Sequence, residues 1–408
     1  MEFALINYFL VFIAVFFVIY SSIFHLILLF ENREKFNRKR PLIKGLSLII
    51  PAFNESKNII KTLKRVVKMN YPKNKMEVLV IDDGSEDNTF ELAKNFSKNY
   101  KFIKVFRKEH SGKSASINFG IKKSKNEFVA IMDADVLPDK NALINCMKYF
   151  DSNEVAAVTS RVLQKRKNSI WERWQDIELK IISLSRKIRE KLNLIDSTPG
   201  ALSVYRKNIL EKIGLFDEKN LLEDVEIAWR ILRNGYKIKM AYNSKVYTNF
   251  PSNFQGWLRQ RTRWHIGWLQ TIFKHINSIF KNPPLGTFIL PFSLTAALIQ
   301  ILILFLSFYL ISNWLIYISS YIYNALALKS SINLFNFNLQ ISVFNFYGAI
   351  LLFLSLFLTY YSIKDYKKMP RLIDFLTFIF FYAVVFYPCY LINSILRIIL
   401  RKFSWMTK

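Results

Sequence analysis

The chain has 408 residues, 52% of them hydrophobic and 37 of them phenylalanine, and carries 58 Lys and Arg against 30 Asp and Glu for a net charge of +28. Its apolar residues gather in charge-free runs at 3–30, 282–328, 330–363 and 375–396, each able to hold the ~20 residues that cross a hydrocarbon core. That excludes a freely soluble protein, and it assigns the positive charge to a cytoplasmic domain held against anionic lipid headgroups; no motif supports nucleic acid.

The first run is too long for a signal core, begins "MEFAL" without a positive n-region, and is followed by no small-x-small cleavage site. Residues 1–30 are therefore expected to stay as a transmembrane helix. The basic stretch "ENREKFNRKR" (31–40), inside a juxtamembrane linker over 31–44, places the N-terminus outside and residues 31–285 in the cytoplasm. Short, branched, apolar runs at 46–53, 77–84, 101–106 and 128–134 read as buried strands. Helical patterns at 56–69, 88–99 and 114–123 lie between them, the first two opening with Ser56 and Asn88 near the cap. Strand and helix in alternation mean a parallel sheet with crossover helices, whose ligands bind beyond the carboxyl ends of the strands.

Two of those ends are acidic, "DDGSEDNT" after the second strand and "MDADVLPD" after the fourth. One such loop alone reads as turn chemistry. Two on the same side of one sheet point to a site, and Asp133 and Asp135 can share a hard cation such as Mg²⁺ that bridges phosphates. Cys146 and Cys389 have no metal-ligand spacing and are not expected to pair.

Beyond the cytoplasmic part, one span is expected near 287–311, then an outer segment holding Lys329, then a return at 341–363. A second crossing within 282–328 would put the basic loop "KDYKKMPR" outside. The last run, 372–396, either crosses, leaving Arg397, Arg401, Lys402 and Lys408 outside, or is broken by Pro388 into a re-entrant or interfacial segment. Residues 286–408 thus hold about three membrane segments.

In chain order, "IPAFNES", "VIDDGSEDNT", "HSGKSASINFGI", "IMDADVLPD", "TPGALSVYR", "LEDVEIAWRI" and "QRTRW" form a set that resembles the inverting, membrane-bound glycosyltransferases of family 2. The likeness is to the branch of cellulose, chitin, hyaluronan and poly-N-acetylglucosamine synthases. It covers residues 45–275 and the flanking helices, and it implies a GT-A type α/β domain over 45–250 followed by an interfacial amphipathic segment over 251–285.

By that resemblance Asp82 and Asp83 hold the nucleoside of a UDP-sugar, with Pro51 and Glu55 lining the pocket. Lys113 sits near the nucleotide or its diphosphate, or is simply a solvated lysine. Asp133 and Asp135 take Mg²⁺ or Mn²⁺ on the diphosphate. Glu223 and Asp224 match the last two positions of a Thr-Glu-Asp motif whose Asp is the base, with Leu222 where Thr is usual; the same acids also suit a helix start. Thr198, Pro199 and Gly200 place the acceptor sugar, and Gln260 and Trp264 shape its end of the site. Arg263 stabilises charge on the departing UDP. Residues 169–190 form a helix that packs on the sheet or, as the resemblance implies, lies at the membrane interface with its tryptophans at headgroup level.

The implied function is addition of a sugar, UDP-N-acetylglucosamine first and UDP-glucose second as donor, to a growing β-linked polysaccharide exported through the plasma membrane. Four spans at most make a slim channel, which calls for a homo-oligomer or an accessory subunit. The rival readings are transfer of a single sugar to a lipid-linked acceptor and, from another class, a non-catalytic nucleotide-binding scaffold. The intact set Asp83, Asp133, Asp135 and Asp224 argues against the scaffold.

Overall fold

The computed structural model describes residues 40–328, 343–363 and 370–400, with scattered helical positions between 12 and 27. Most of the first apolar run, the basic stretch up to residue 39, Lys329, residues 364–369 and the terminal cations Arg401, Lys402 and Lys408 lie outside the described residues. The chain forms two compact units, one of residues 32–291 with 362–408, the other of residues 1–31 with 292–361.

The first unit is built on one eight-stranded sheet in the order β3-β2-β1-β4-β7-β6-β8-β5. Strands β1 (Leu46–Ala52), β2 (Met76–Asp82), β3 (Ile103–Arg107) and β4 (Phe128–Ile131) are parallel, with Ile49 level with Leu79 on one side and Ile131 on the other. Every residue of β1 and β2 is buried, as expected of parallel strands covered on both faces. Each fully buried Leu or Ile here contributes about 2 kcal/mol relative to exposure. Helices α1 (Ile59–Val67), α2 (Thr89–Ser97) and α3 (Lys113–Lys123) make the crossovers.

The other half is mixed. β5 (Leu137–Pro138) and α4 (Ala142–Met147) lead to β6 (Val155–Gln164), which pairs antiparallel with β7 (Ser203–Arg206) and parallel with β8 (Lys237–Thr248). β7 in turn lies antiparallel to β4, joining the two halves. Between these strands run α5 (Ile170–Arg189), α6 (Lys207–Ile213) and α7 (Glu223–Arg233), and α8 (Phe254–His275) follows the sheet.

The first helix begins three residues later than the sequence pattern places it. Asn54 takes a left-handed φ of 53°, and the amides of Asn54, Glu55 and Ser56 are bound across the loop by Ser85 Oγ, Thr89 Oγ1 and Asp87 Oδ2 at 3.0, 2.8 and 3.1 Å. Ser56 therefore belongs to a stitched pair of loops, and the helix starts after Asn58, whose side chain makes no cap hydrogen bond; nor does that of Asn88. The helix over 170–189 is capped in full: Ser169 Oγ accepts from the amide of Glu172 at 3.2 Å, and Glu172 Oε2 accepts from the amide of Ser169 at 3.1 Å.

Past the sheet, α9 (Leu290–Ala327) runs 38 residues without a turn, about 57 Å at 1.5 Å per residue. The charge-free run 282–328 thus does not fold back into two spans. Among the described residues one stretch, Leu285–Leu302, meets the length and hydropathy of a membrane span, with mean hydropathy 1.9. Farther along α9, Phe305, Trp314 and Ile316 expose 60–67% of their surface, which suits an apolar surrounding. α10 (Val343–Ile363) is a second apolar helix.

The last run is neither one straight helix nor two separated pieces. α11 (Leu372–Thr377) passes into π-helical turns at Phe378–Phe386, and α12 (Tyr387–Ile399) resumes with Pro388 in its first turn, where a missing N–H costs nothing. This segment packs on α5 and α8. Arg173 Nε donates to the buried Asp374 at 2.8 Å, and Trp174 Nε1 donates to Thr377 Oγ1 at 3.0 Å. Trp257 Nε1 donates to the Tyr382 hydroxyl at 2.7 Å, and Asn393 Nδ2 donates to Thr262 Oγ1 at 2.8 Å.

Candidate active site

The acidic loops meet where the parallel strands end. The buried Asp83 has both carboxylate oxygens filled by the loop 108–116. Oδ1 accepts from Lys108 Nζ at 2.5 Å, Ser116 Oγ at 2.8 Å and the Ser111 amide at 3.2 Å; Oδ2 accepts from the Gly112 amide at 2.9 Å and lies 3.0 Å from His110 Nδ1. Asp83 thus fixes the loop that leads into α3. Its neighbour Asp82 differs. Oδ2 faces the Ser85 amide at 3.2 Å and Arg107 Nε at 3.4 Å, while Oδ1 is buried with no hydrogen-bond partner among the described residues. A buried acceptor left open is costly unless a ligand donor completes it. Pro51 is buried near the end of β1, and Glu55 turns its Oε2 to Asn58 Nδ2 at 2.7 Å.

Asp133 and Asp135 follow β4, both partly accessible. The Asp133 amide donates to the Gly200 carbonyl at 3.0 Å, tying the acidic loop to the segment before β7. Lys113, the first residue of α3, spans two carboxylates: its Nζ stands 2.7 Å from Asp133 Oδ1 and 2.8 Å from Glu223 Oε1. Burial lowers the Lys113 ammonium, but the charges of Asp133 and Glu223 overcome it and hold the group well above the usual lysine range. Gly200 makes room for this pair, because a Cβ there would stand 2.7 Å from Lys113 Nζ and 3.2 Å from Asp133 Oδ1. Lys113 is thereby a member of the acidic centre and not a solvated lysine.

Glu223 and Asp224 open α7 in a first turn that also holds Glu226, so three acids face the positive end of the helix dipole. The Asp224 carbonyl accepts from the Thr198 amide at 3.0 Å and Thr198 Oγ1 at 2.9 Å, which locks the "TPG" turn onto this helix start. Burial first, and then the charge of Glu223, push the Asp224 carboxyl up to about 6, against the opposing pull of Lys113, Arg263 and Arg186. Arg186 was not anticipated from the sequence. It is buried on α5, burial brings its guanidinium down to about 10, and its Nε has no partner among the described residues. Only its place in the basic last turn of α5 marked it. Leu222, in the position where Thr is usual, is buried and makes no cap hydrogen bond.

The two inner arginines of "QRTRW" separate in function. Arg261 is buried, pairs with Glu178, reaches the Tyr382 hydroxyl at 3.1 Å and lays its guanidinium 4.2 Å from the Trp264 ring. Arg263 is partly accessible, points to the other side and donates to the Leu221 carbonyl at 3.3 Å, beside Glu223 and Asp224. Gly267 permits this approach: a Cβ there would lie 2.9 Å from the Leu222 amide nitrogen. Gln270 Oε1 accepts from the Leu221 amide at 3.1 Å and completes the seam. Gln260 keeps a buried Oε1 without a partner among the described residues, and Trp264 meets the Phe250 ring edge-on at 6.4 Å.

The tryptophans of α5 and the start of α8 are spent inside the protein. Trp171, Trp174 and Trp257 lie within 5.3–5.6 Å of one another in the pairs Trp171–Trp174 and Trp171–Trp257, and Phe386 of the C-terminal segment joins them at 4.8 Å from Trp171. The tryptophans of residues 169–190, expected at headgroup level, pack in this aromatic cluster with Phe378, Tyr382, Tyr390 and Leu391.

Among the described residues no group of three His, Cys, Asp or Glu side chains converges as a ready metal cage. The donor set is two oxygen-bearing side chains, Asp133 and Asp135, which fits a hard divalent cation that takes its remaining ligands from phosphates and water.

Comparison with known proteins agrees with this construction. Residues 47–214 match the family model described as glycosyl transferase family 2. A poly-beta-1,6-N-acetyl-D-glucosamine synthase of Staphylococcus epidermidis is 29% identical over 314 residues, covering 74% of this chain and 76% of the relative. The protein of that name from Staphylococcus aureus (strain COL) is 28% identical over 306 residues, 73% of this chain and 74% of its own. Among solved structures, the mannosyltransferase PcManGT from Pyrobaculum calidifontis, in complex with GDP-Man and Mn²⁺, superposes with a TM-score of 0.65 over 97% of this chain and 99% of that one. At 19% identity that likeness establishes the shared GT-A type fold. The acidic strand ends, the helix that begins at Glu223 and the relatives point the same way: residues 47–214 carry the likeness to glycosyltransferase family 2, and the relatives this chain resembles are poly-beta-1,6-N-acetyl-D-glucosamine synthases.

Proposed function

We propose that the protein moves N-acetylglucosamine from UDP-N-acetylglucosamine to the end of a β-linked polysaccharide, inverting the anomeric carbon, at the cytoplasmic face of the plasma membrane. The observation that carries this reading is the convergence of Asp133, Lys113, Glu223 and Asp224 on one point, with Arg263 beside it. The names of the relatives support the choice of sugar.

Asp82 offers its open oxygen to a nucleobase N–H, with Pro51 and Glu55 on the pocket wall and Asp83 setting the adjoining loop. Asp133 and Asp135 hold Mg²⁺ or Mn²⁺, which when bound offsets the charge of the diphosphate. Lys113 and Arg263 supply fixed positive charge where that charge grows, and guanidinium suits phosphate oxygens. Thr198, Pro199, Gly200, Gln260 and Trp264 receive the acceptor. Its hydroxyl oxygen forms the new bond to the anomeric carbon while the bond to the β-phosphate oxygen breaks, and the hydroxyl proton passes to Asp224. α9 serves as one span of a multi-pass protein with its N-terminus outside, and the membrane helices, in a homo-oligomer or with an accessory subunit, export the glycan.

Lipid-reconstituted protein given labelled UDP-sugars with Mg²⁺ or Mn²⁺ is expected to make a long polymer from UDP-N-acetylglucosamine. A single labelled sugar on lipid, or polymer from UDP-glucose alone, overturns this reading in favour of the corresponding acceptor or donor.

A further inference from the structure

Lys113 stands where a divalent cation would have to act. Its single charge lies between Asp133, one of the two carboxylates offered to a metal, and Glu223, 95% buried beside the base. Both contacts are at ion-pair distance, and Gly200 lies close behind the ammonium, where a Cβ would stand 2.7 Å from it. A metal that takes Asp133 through Oδ1 must therefore loosen Lys113 first. Placed there with Lys113 still in position, two positive groups would share one carboxylate in a partly buried site, where like charges repel strongly. A diphosphate removes the conflict by offering the ammonium new oxygens.

We propose that Lys113 is a latch that holds Asp133 closed to divalent cations until a diphosphate draws its ammonium away, so that the metal enters with the nucleotide and not before it. This rests on the donor reading given above. The latch offsets part of the charge of the two carboxylates in the resting protein and moves the same positive charge onto the phosphates when they arrive. By linkage, whatever the diphosphate adds to metal affinity, the metal adds to diphosphate affinity.

Because Mn²⁺ chelates UDP by itself, the discriminating quantity is Mn²⁺ affinity in the absence of nucleotide. It is read on the detergent-solubilised full chain from the loss of the free-ion signal in electron paramagnetic resonance. Lys113→Met and Lys113→Gln are expected to bind Mn²⁺ alone about tenfold more tightly than wild type, and Lys113→Arg no more tightly. Fluorescence of the cluster of Trp171, Trp174 and Trp257, remote from Lys113 in sequence, reports the fold of each variant. Equal Mn²⁺ affinity in wild type and both neutral variants, with UDP still bound by wild type, overturns the latch alone. Failure of wild type to bind UDP with any metal overturns the donor reading and the latch with it.

Discussion

Asp224→Asn replaces a proton acceptor by a group of the same size that cannot take the proton. The tie from Thr198 runs to the Asp224 backbone carbonyl, so the turn that receives the acceptor stays in place in the variant. Loss of one positioned general base is worth ~10²–10⁴ in rate, and turnover should fall within that range. UDP affinity should hardly change, since the open Asp82 oxygen, Lys113 and Arg263 are all retained. The pH profile sharpens the test. With its folded value raised to about 6, Asp224 is ionised and active above that pH and protonated below it. At pH 5 about one tenth of the sites are ionised, so kcat/KM should lose roughly tenfold per pH unit on the acid side. Glu223→Gln removes the neighbouring negative charge that helps raise the Asp224 carboxyl and should move that limb to lower pH. Turnover by labelled-sugar incorporation and UDP affinity by calorimetry suffice. Normal turnover in Asp224→Asn, or a flat profile down to pH 5, refutes the assignment.

Three further changes follow from the geometry. Arg263→Ala should lower turnover by about 10²-fold with a smaller loss of UDP affinity, as expected of a group acting on charge that develops during reaction; a loss confined to affinity would make it a binding residue. Arg261→Met should instead lower the thermal midpoint in detergent, at a cost of about 2 kcal/mol, because it leaves the partly buried Glu178 without its buried ionic partner and with the Tyr382 hydroxyl alone. Gly267→Ala forces a methyl against the Leu222 backbone and should cost about 1–3 kcal/mol and displace Arg263, seen as lower stability and lower kcat together.

The parallel half of the sheet was legible because its strands are uniform apolar runs between amphipathic helices, so β1 to β4 stood out within two or three residues. The mixed half was not. β6 reads "VAAVTSRVLQ" and is buried throughout, yet it carries Thr159, Ser160, Arg161 and Gln164 inside, which breaks both the alternating and the continuous apolar pattern. β8, with lysines at 237, 239 and 245, hides in the same way. At the site, residue types and order named Asp133, Glu223 and Asp224, and the structure brings all three within the field of Lys113. Spacing could not say how carboxylates are shared. Nothing in "DDGS" tells that Asp83 is filled by the 108–116 loop while Asp82 keeps an open oxygen, or that Arg261 and Arg263, two apart on one helix, face different neighbours. Those are properties of packing between α8, α7 and the C-terminal segment, far apart in the chain.

The docking of residues 372–399 onto α5 and α8 also sets the order in which the enzyme becomes competent during its own synthesis. The helix that carries Gln260, Arg263 and Trp264 has its opposite face closed by Tyr382 and Asn393, more than a hundred residues later. A nascent chain with only the family 2 segment outside the ribosome holds the donor loops but leaves Trp257, Arg261 and Thr262 unsupported. Support for that helix arrives only with residues 372–399, so a chain cut short before them is expected to be inert.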